Sequence, residues 1–335
     1  MSERPGWWIY HGTGVPHDDI ARLPAPPPWR LFDDEAVPIS PWVEESAADA
    51  RRGENYRPDR DTVELVNAAI HLRRPLLVTG RPGTGKSTLA SAVAHELGLG
   101  RPLRWNITSR VTVKDGLYQY DPLARLYQAR RDSGSGPGDE PEDVGRFIRL
   151  GPLGTALLPA ERPRVLLIDE IDKGDLDLPN DLLAIFEEGS YEIPELVRQA
   201  DQAADAAVMT ADSTERVPVR HGQVRCRAFP IIVMTSNGER DFPPAFLRRC
   251  IQATLPQPEA EKLSRIVEAH LGTLAPSGAE IIQRFLSRRD HDDLATDQLL
   301  NAIYLTDQAG RTTGVDRDQL ADKVMAHLSR RPDDD

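Results

Sequence analysis

Five short apolar runs mark the first three quarters of the chain: residues 75–79 (PLLVT), 102–107 (PLRWNI), 165–169 (VLLID), 231–235 (IIVMT) and 251–255 (IQATL). Continuous apolar runs of this length suit strands of a parallel sheet covered on both faces. Residues 87–97 and 178–188 carry helical spacing between them, so the pattern predicts a doubly wound α/β domain. From Pro258 the alternation stops. Four helical stretches follow, 258–271, 279–289, 296–308 and 316–329, and predict a small separate all-α domain.

The first 60 residues break this pattern. They hold nine of the 28 prolines and four of the five tryptophans, Trp7, Trp8, Trp29 and Trp42, and are punctuated too often for a regular layer. The run from Pro24 to Pro28, followed by Trp29, reads as extended, with indoles that need apolar partners. A strap laid over the main domain accounts for them, and so does a docking segment for another protein. Residues 132–141 (DSGSGPGDEP) cannot bury a core and predict a flexible surface loop.

A length of 335 residues suggests about two domains. A hydrophobic fraction of 39% and a mean hydropathy of −0.46 describe a soluble, globular composition. No run approaches the roughly 18 apolar residues of a membrane helix, and the start (MSERPGWWIY) lacks a basic segment followed by an apolar one. A cytoplasmic protein is expected. Cys226 and Cys250 are too few for a disulfide framework, and the eight histidines look scattered, with no HExxH pair to support a catalytic zinc. With 41 Lys and Arg against 53 Asp and Glu, the net charge of −12 argues against nucleic acid as a partner.

The strongest chemical signal is Gly80-Arg81-Pro82-Gly83-Thr84-Gly85-Lys86-Ser87, followed by Thr88, a full GxxxxGK[ST] between a predicted strand and a predicted helix. Its glycines let the backbone wrap a phosphate with N–H groups inward, and the helix N-terminus adds positive potential. Lys86 would neutralise the β and γ phosphates, and the Ser87 hydroxyl would ligate Mg²⁺. Downstream, the strand VLLI ends in Asp169 and Glu170, at the sheet end where ligands sit. Asp169 would hold the Mg²⁺ through water. Glu170 could polarise a water for attack on the γ phosphate, which makes hydrolysis of ATP a better reading than binding alone.

These residues resemble the AAA+ ATPases, and in detail their MoxR branch. The blocks RPLLVTGRPGTGKSTLA, LGPLGTALLPAERPRVLLIDEIDKGDLDLPNDLLAIFEEGSYEI and IIVMTSNGERDFPPAFLRRC carry the likeness, over about residues 56–256. The resemblance implies an AAA+ P-loop NTPase with a five-stranded parallel sheet at its core and a small all-α lid. It implies an N-terminal extension over residues 1–55, a nucleotide-binding domain over 56–256 with a hairpin insertion at 190–230, and a lid over 257–330.

The resemblance also makes Asn237 a sensor that orients the attacking water or contacts the γ phosphate; a turn-forming Asn is the bland alternative. It offers Arg249 first and Arg248 second as a finger supplied to a neighbouring subunit, hence a homo-oligomer, with a hexameric ring expected. Tyr56 stands where the family packs against adenine, although core packing explains a lone Tyr equally well. Residues 108–125, with Tyr118 and Tyr120, and the Arg-rich run 217–227 match insertions that face a ring axis, and they either press on a client or are plain surface loops. The lid departs from the family at Ala295-Thr296-Asp297-Gln298, where Gln298 stands in place of a second sensor arginine.

The implied activity is ATP-driven remodelling or activation of a partner protein, in this branch often one with a von Willebrand A domain. An ATP-binding switch with little turnover is the alternative that Gln298 brings in, and a GTP-driven motor subunit acting on nucleic acid is a third.

Overall fold

The computed structural model describes residues 5–30, 32, 43–132, 143–271, 275–289 and 296–310. The expected loop at 132–141, apart from its first residue, and the expected helix at 316–329 lie outside the described residues, as does Trp42.

In chain order, α1 (Ala47–Asn55) and α2 (Arg60–Leu72) precede β1 (Leu76–Thr79), α3 (Lys86–Glu96) and β2 (Leu103–Asn106). A first insertion follows: α4 (Val113–Leu117), β3 (Tyr118–Tyr120), α5 (Pro122–Asp132), β4 (Ile148–Leu150) and α6 (Pro152–Ala156). Next come β5 (Val165–Asp169), α7 (Leu178–Glu188) and a second insertion of β6 (Ser190–Glu192), α8 (Pro194–Val197), β7 (Asp205–Met209), β8 (Arg216–Arg220) and β9 (Gln223–Arg225). β10 (Ile231–Ser236), α9 (Pro244–Leu247) and β11 (Ile251–Thr254) complete the α/β part, and α10 (Ala260–Leu271), α11 (Ala275–Arg289) and α12 (Thr296–Gly310) follow.

All five predicted strands form one sheet in the order β11-β1-β10-β5-β2, every neighbouring pair parallel. The alternation of side chains along each strand sends them to opposite faces. Leu77, Leu166, Ile168, Ile232 and Met234 join one core cluster with Phe186 of α7 and the insertions. Leu76, Val78, Val165, Leu167 and Val233 join a second with α2, α3 and the N-terminal segment. Both faces are thus buried, which is why the strands read as unbroken apolar runs. The helices α10 to α12 have a core of their own, around Leu263, Val267, Phe285, Leu299 and Ile303.

The two insertions combine into a second sheet, β3-β4-β7-β8-β9-β6, joined by one parallel pairing of Arg149 with Met209. Tyr118 is buried there and its hydroxyl donates to Glu195 Oε2 at 2.8 Å, so this side chain packs inside the insertion. β8 alternates, with Arg216, Pro218 and Arg220 outward and Val217 and Val219 inward.

Three expectations for the N-terminal part are corrected. The region holds a regular helix, α1, capped by Ser46, whose side chain accepts from the Asp49 N–H. It packs on α3 so closely that a Cβ at Gly53 would lie 2.4 Å from that of His95. The tryptophans do not share one fate: Trp8 is buried with Ile9, Tyr10 and Ile20, while Trp29 is 73% exposed. The histidines are not all scattered, because the rings of His11 and His17 lie 4.8 Å apart. Both cysteines are buried, and burial pushes the Cys250 thiol up to about 12. Among the described residues no helix is long and apolar enough to cross a membrane.

Candidate active site

Parallel strands carry their C-terminal ends to one edge, and there the chain opens a cleft of about 580 Å³. The loop after β1 forms its floor. Gly80 takes φ +148°, where a Cβ would meet the Leu255 carbonyl at 2.8 Å, and Gly85 takes φ +88° with the Tyr56 ring over it. Only glycine accepts both the conformation and the close approach. Pro82, Gly83, Thr84, Gly85, Lys86, Ser87 and Thr88 all line the cleft, and Thr84 Oγ1 donates to the Arg81 carbonyl at 2.9 Å.

Lys86 opens α3 and is largely buried. Its Nζ donates to Gly80 O at 2.6 Å, Arg81 O at 3.0 Å and Asn237 Oδ1 at 2.8 Å. Burial holds its ammonium below the usual lysine range, against the opposing pull of Asp172, Asp169 and Glu170. The Ser87 hydroxyl donates to Asp169 Oδ1 at 2.7 Å, and Thr235 Oγ1 donates to the same oxygen at 2.6 Å. Residues far apart in sequence therefore meet across β1, β5 and β10.

Glu170 leaves the strand in a left-handed conformation, φ +59° and ψ +49°. A non-glycine residue there is held at a cost of order 1–3 kcal/mol by its surroundings. The Glu170 N–H donates to Thr235 Oγ1 at 2.9 Å, and its half-exposed carboxylate meets Lys173 Nζ at 2.8 Å. That contact raises the Lys173 ammonium above its usual range. The turn continues to Asp172, which motif reasoning passed over. Its buried Oδ2 accepts from Ser236 Oγ (2.9 Å), Asn237 N (2.8 Å) and Glu239 N (3.2 Å). Arg240 donates to the Asp172 and Gly174 carbonyls from the other side.

The cleft runs on to Tyr56, whose hydroxyl is driven above the usual tyrosine range by burial, and to Arg52, Asn55 and Arg57. Across from the loop, Lys262, Ile266, Thr296, Gln298 and Leu300 of the helical part close it. Gln298 thus reaches the cleft, and Lys262, 4.0 Å from Asp59, is a second residue of the helical part there that no motif signalled.

Arg248 and Arg249 do not line this cleft. They follow α9, where the Arg248 carbonyl accepts from Arg74 at 2.6 Å, and Arg249 Nε lies 2.8 Å from Glu187 Oε1 on a half-exposed surface.

A family model, the AAA domain of the dynein-related subfamily, matches residues 75–264, more than half of the chain. The protein belongs to this family. It is an AAA ATPase with a P-loop and a nucleotide-binding site, in the subfamily that includes the MoxR-like ATPases. The five-stranded parallel sheet and the helices after it agree with the fold of an AAA+ core. A search of curated proteins finds no match to the chain. AAA domains typically oligomerise.

Proposed function

We propose that the ATPase hydrolyses Mg-ATP at the interfaces of a homo-oligomeric ring, a hexamer, and uses the energy to remodel or activate a partner protein. The observation that carries this reading is the meeting of Lys86, Ser87, Asp169, Glu170 and Asn237 at one edge of the sheet, with Arg248 and Arg249 outside the cleft. The oxygen donors Ser87 Oγ and Asp169 Oδ1, 2.7 Å apart, fit a hard cation such as Mg²⁺. Bound there, the ion would neutralise charge building on the phosphates. Gly80, Pro82, Gly83, Thr84, Gly85, Lys86, Ser87 and Thr88 hold the triphosphate, and Tyr56 meets the base.

Glu170 acts as the base toward water. Asn237 orients that water, and Lys86 neutralises the γ phosphate. Arg249, with Arg248 as the second choice, serves the site of the next subunit, because its own cleft does not contain it. A finger in trans is worth about 10³–10⁵ in rate. Residues 1–55 form an N-terminal extension, 56–256 the nucleotide-binding domain and 257–330 the lid that passes motion to the partner. A von Willebrand A domain protein is the kind of partner this branch suggests.

The test is phosphate release by the wild type and by Glu170→Gln, with capture of bound protein by the variant. Turnover that the substitution abolishes, with a protein retained on the variant, supports the motor. Gln298 in the lid favours a second reading, a nucleotide-dependent switch, because a neutral amide cannot clamp a phosphate as a guanidinium does. No turnover in either form, together with tight ATP binding, selects the switch.

A further inference from the structure

Apart from the residues that line the nucleotide cleft, residues 11–19 lie against the C-terminal end of α3 and gather two imidazoles and a carboxylate. His11 Nε2 lies 2.7 Å from Asp19 Oδ2, and His17 Nδ1 lies 3.9 Å from the same oxygen. One ligand atom from each of the three falls within 4.8 Å of the others, and all three residues are partly buried.

The backbone that carries them is anchored. Glu96, fully buried at the end of α3, accepts the N–H groups of His11 (2.5 Å) and Gly12 (3.0 Å) on Oε1, and of Thr13 (2.6 Å) and Gly14 (2.8 Å) on Oε2. The His17 N–H donates to the Glu96 carbonyl at 2.8 Å. A carboxylate in such a nest fixes the loop before any ligand arrives.

The same carboxylate sets the chemistry of His17. Its Nε2 lies 3.3 Å from Glu96 Oε1, an acceptor, so the ring proton sits on Nε2. Nδ1 then carries a lone pair, engaged among the described residues by the Asp19 N–H alone, at 3.3 Å, and facing the Asp19 carboxylate. An imidazole whose far N–H is held by a carboxylate, with the other nitrogen turned to a second anionic group, is how proteins orient a metal ligand. Among the described residues His11 Nδ1 is buried without a hydrogen-bond partner, so the ring proton is free to sit there and leave the lone pair on Nε2, the nitrogen that faces Asp19.

We infer that His11, His17 and Asp19 form a binding site for a first-row divalent transition cation, zinc foremost, which clamps residues 11–19 onto α3. Two nitrogens and one carboxylate oxygen select such ions over Mg²⁺ and Ca²⁺, which take oxygen donors. Ligands at about 2.0–2.1 Å in a tetrahedron stand roughly 3.3 Å apart, with water completing the set. The 2.7 Å contact opens and the 3.9 Å one closes through modest side-chain rotation. Arg22 Nη1, 3.3 Å from Asp19 Oδ2 on an exposed side chain, gives up that oxygen to the ion.

The test uses the full chain without an affinity tag, stripped with chelator and free of nucleotide. Zinc is titrated in competition with a chromophoric chelator, and Co²⁺ is followed by its visible absorption. One equivalent is expected to bind, with a tetrahedral or five-coordinate Co²⁺ band. Affinity falls at least tenfold in His17→Gln and in Asp19→Asn, and persists in Asp169→Asn, which alters the nucleotide cleft. Circular dichroism of each variant in chelator establishes that it is folded, and zinc raises the melting temperature of the wild type but not of Asp19→Asn. Absence of stoichiometric zinc binding overturns the proposal. So does binding that survives unchanged in folded His11→Ala/His17→Ala.

Discussion

Replacing Asp172 by alanine tests how the ATPase holds Asn237, the proposed sensor. Three donors, Ser236 Oγ, Asn237 N and Glu239 N, converge on one buried carboxylate oxygen. A hydrogen bond to a charged acceptor contributes about 1.5–3 kcal/mol. Three that share one oxygen do not add, so Asp172→Ala is expected to cost about 3 kcal/mol in all. At about 2–4 °C per kcal/mol for a unit of this size, the melting temperature drops by about 6–12 °C. Asn237 loses the bond that fixes its backbone, and an error of about 1 Å in a group beside the reacting atoms costs on the order of 10² in kcat. KM moves less, since the loop after β1 is untouched.

A second signature separates this from general loosening. The Asp172 charge helps keep the Lys86 ammonium protonated against burial, so its removal lowers the Lys86 pKa further. The alkaline limb of the kcat/KM profile is then expected to shift toward lower pH. Asp172→Asn keeps one acceptor oxygen and recovers most of the stability, while the pH shift remains. Differential scanning fluorimetry and a coupled ATPase assay between pH 6 and 10 measure all three. An alanine variant that melts with the wild type, or turns over at the wild-type rate with an unmoved limb, would refute the reasoning.

Glu96→Gln places an amide NH₂ against backbone N–H groups and is expected to cost about 2–3 kcal/mol, with hydrogen exchange at residues 11–14 accelerating at least tenfold; unchanged protection there would contradict the anchoring role. Arg249→Ala is expected to lower kcat by about 10³ and to be rescued in mixtures with Glu170→Gln subunits, whose own fingers are intact; a wild-type rate for Arg248→Ala/Arg249→Ala removes the finger. Gln298→Arg brings a guanidinium to the cleft and is expected to tighten ATP binding several-fold by calorimetry, an effect that high salt weakens. Equal affinities would mean that residue 298 does not face the phosphates.

The part of the fold that sequence patterns reveal is the part made by local rules. The five strands read correctly because both faces of the sheet are covered, and glycines at 80, 83 and 85 announced a loop that takes positive φ at each. The place of Glu170 and Asn237 in the cleft was legible because an apolar strand delivers each to the same edge. The six-stranded second sheet was not, since it hangs on one parallel pairing between segments some 60 residues apart. Asp172 and Thr235 look like ordinary polar residues until β5 and β10 lie side by side. Glu96 is hidden more deeply. A carboxylate at the end of a helix opposes the helix dipole, and the donors of a distant loop explain it, four backbone N–H groups with the Thr13 hydroxyl and the His17 ring. Helix α1 did leave a signal, Ser46 three residues before Asp49, which the surrounding prolines and tryptophans obscured.

The hydrogen bonds around Lys86 suggest how occupancy is communicated on the proposed reading. A phosphate that reaches Nζ competes with Gly80 O, Arg81 O and Asn237 Oδ1, and of these only Asn237 belongs to another strand. Its backbone N–H is tied to Asp172, two residues beyond Glu170, and the Glu170 N–H is tied to Thr235, two residues before Asn237. With the bonds of Thr235 to Asp169 and of Ser236 to Asp172, these lace the ends of β5 and β10 together, so displacing the Asn237 amide perturbs the turn on which Glu170 sits. Glu170 is already strained there and paired with Lys173, an exposed contact that yields easily. A base restrained by a weak ion pair and released by a shift at the sensor would act only when a γ phosphate is present. Lys173→Ala is then expected to raise turnover in the absence of partner without changing ATP affinity. A rate that falls, or an affinity that changes in step with it, rules the linkage out.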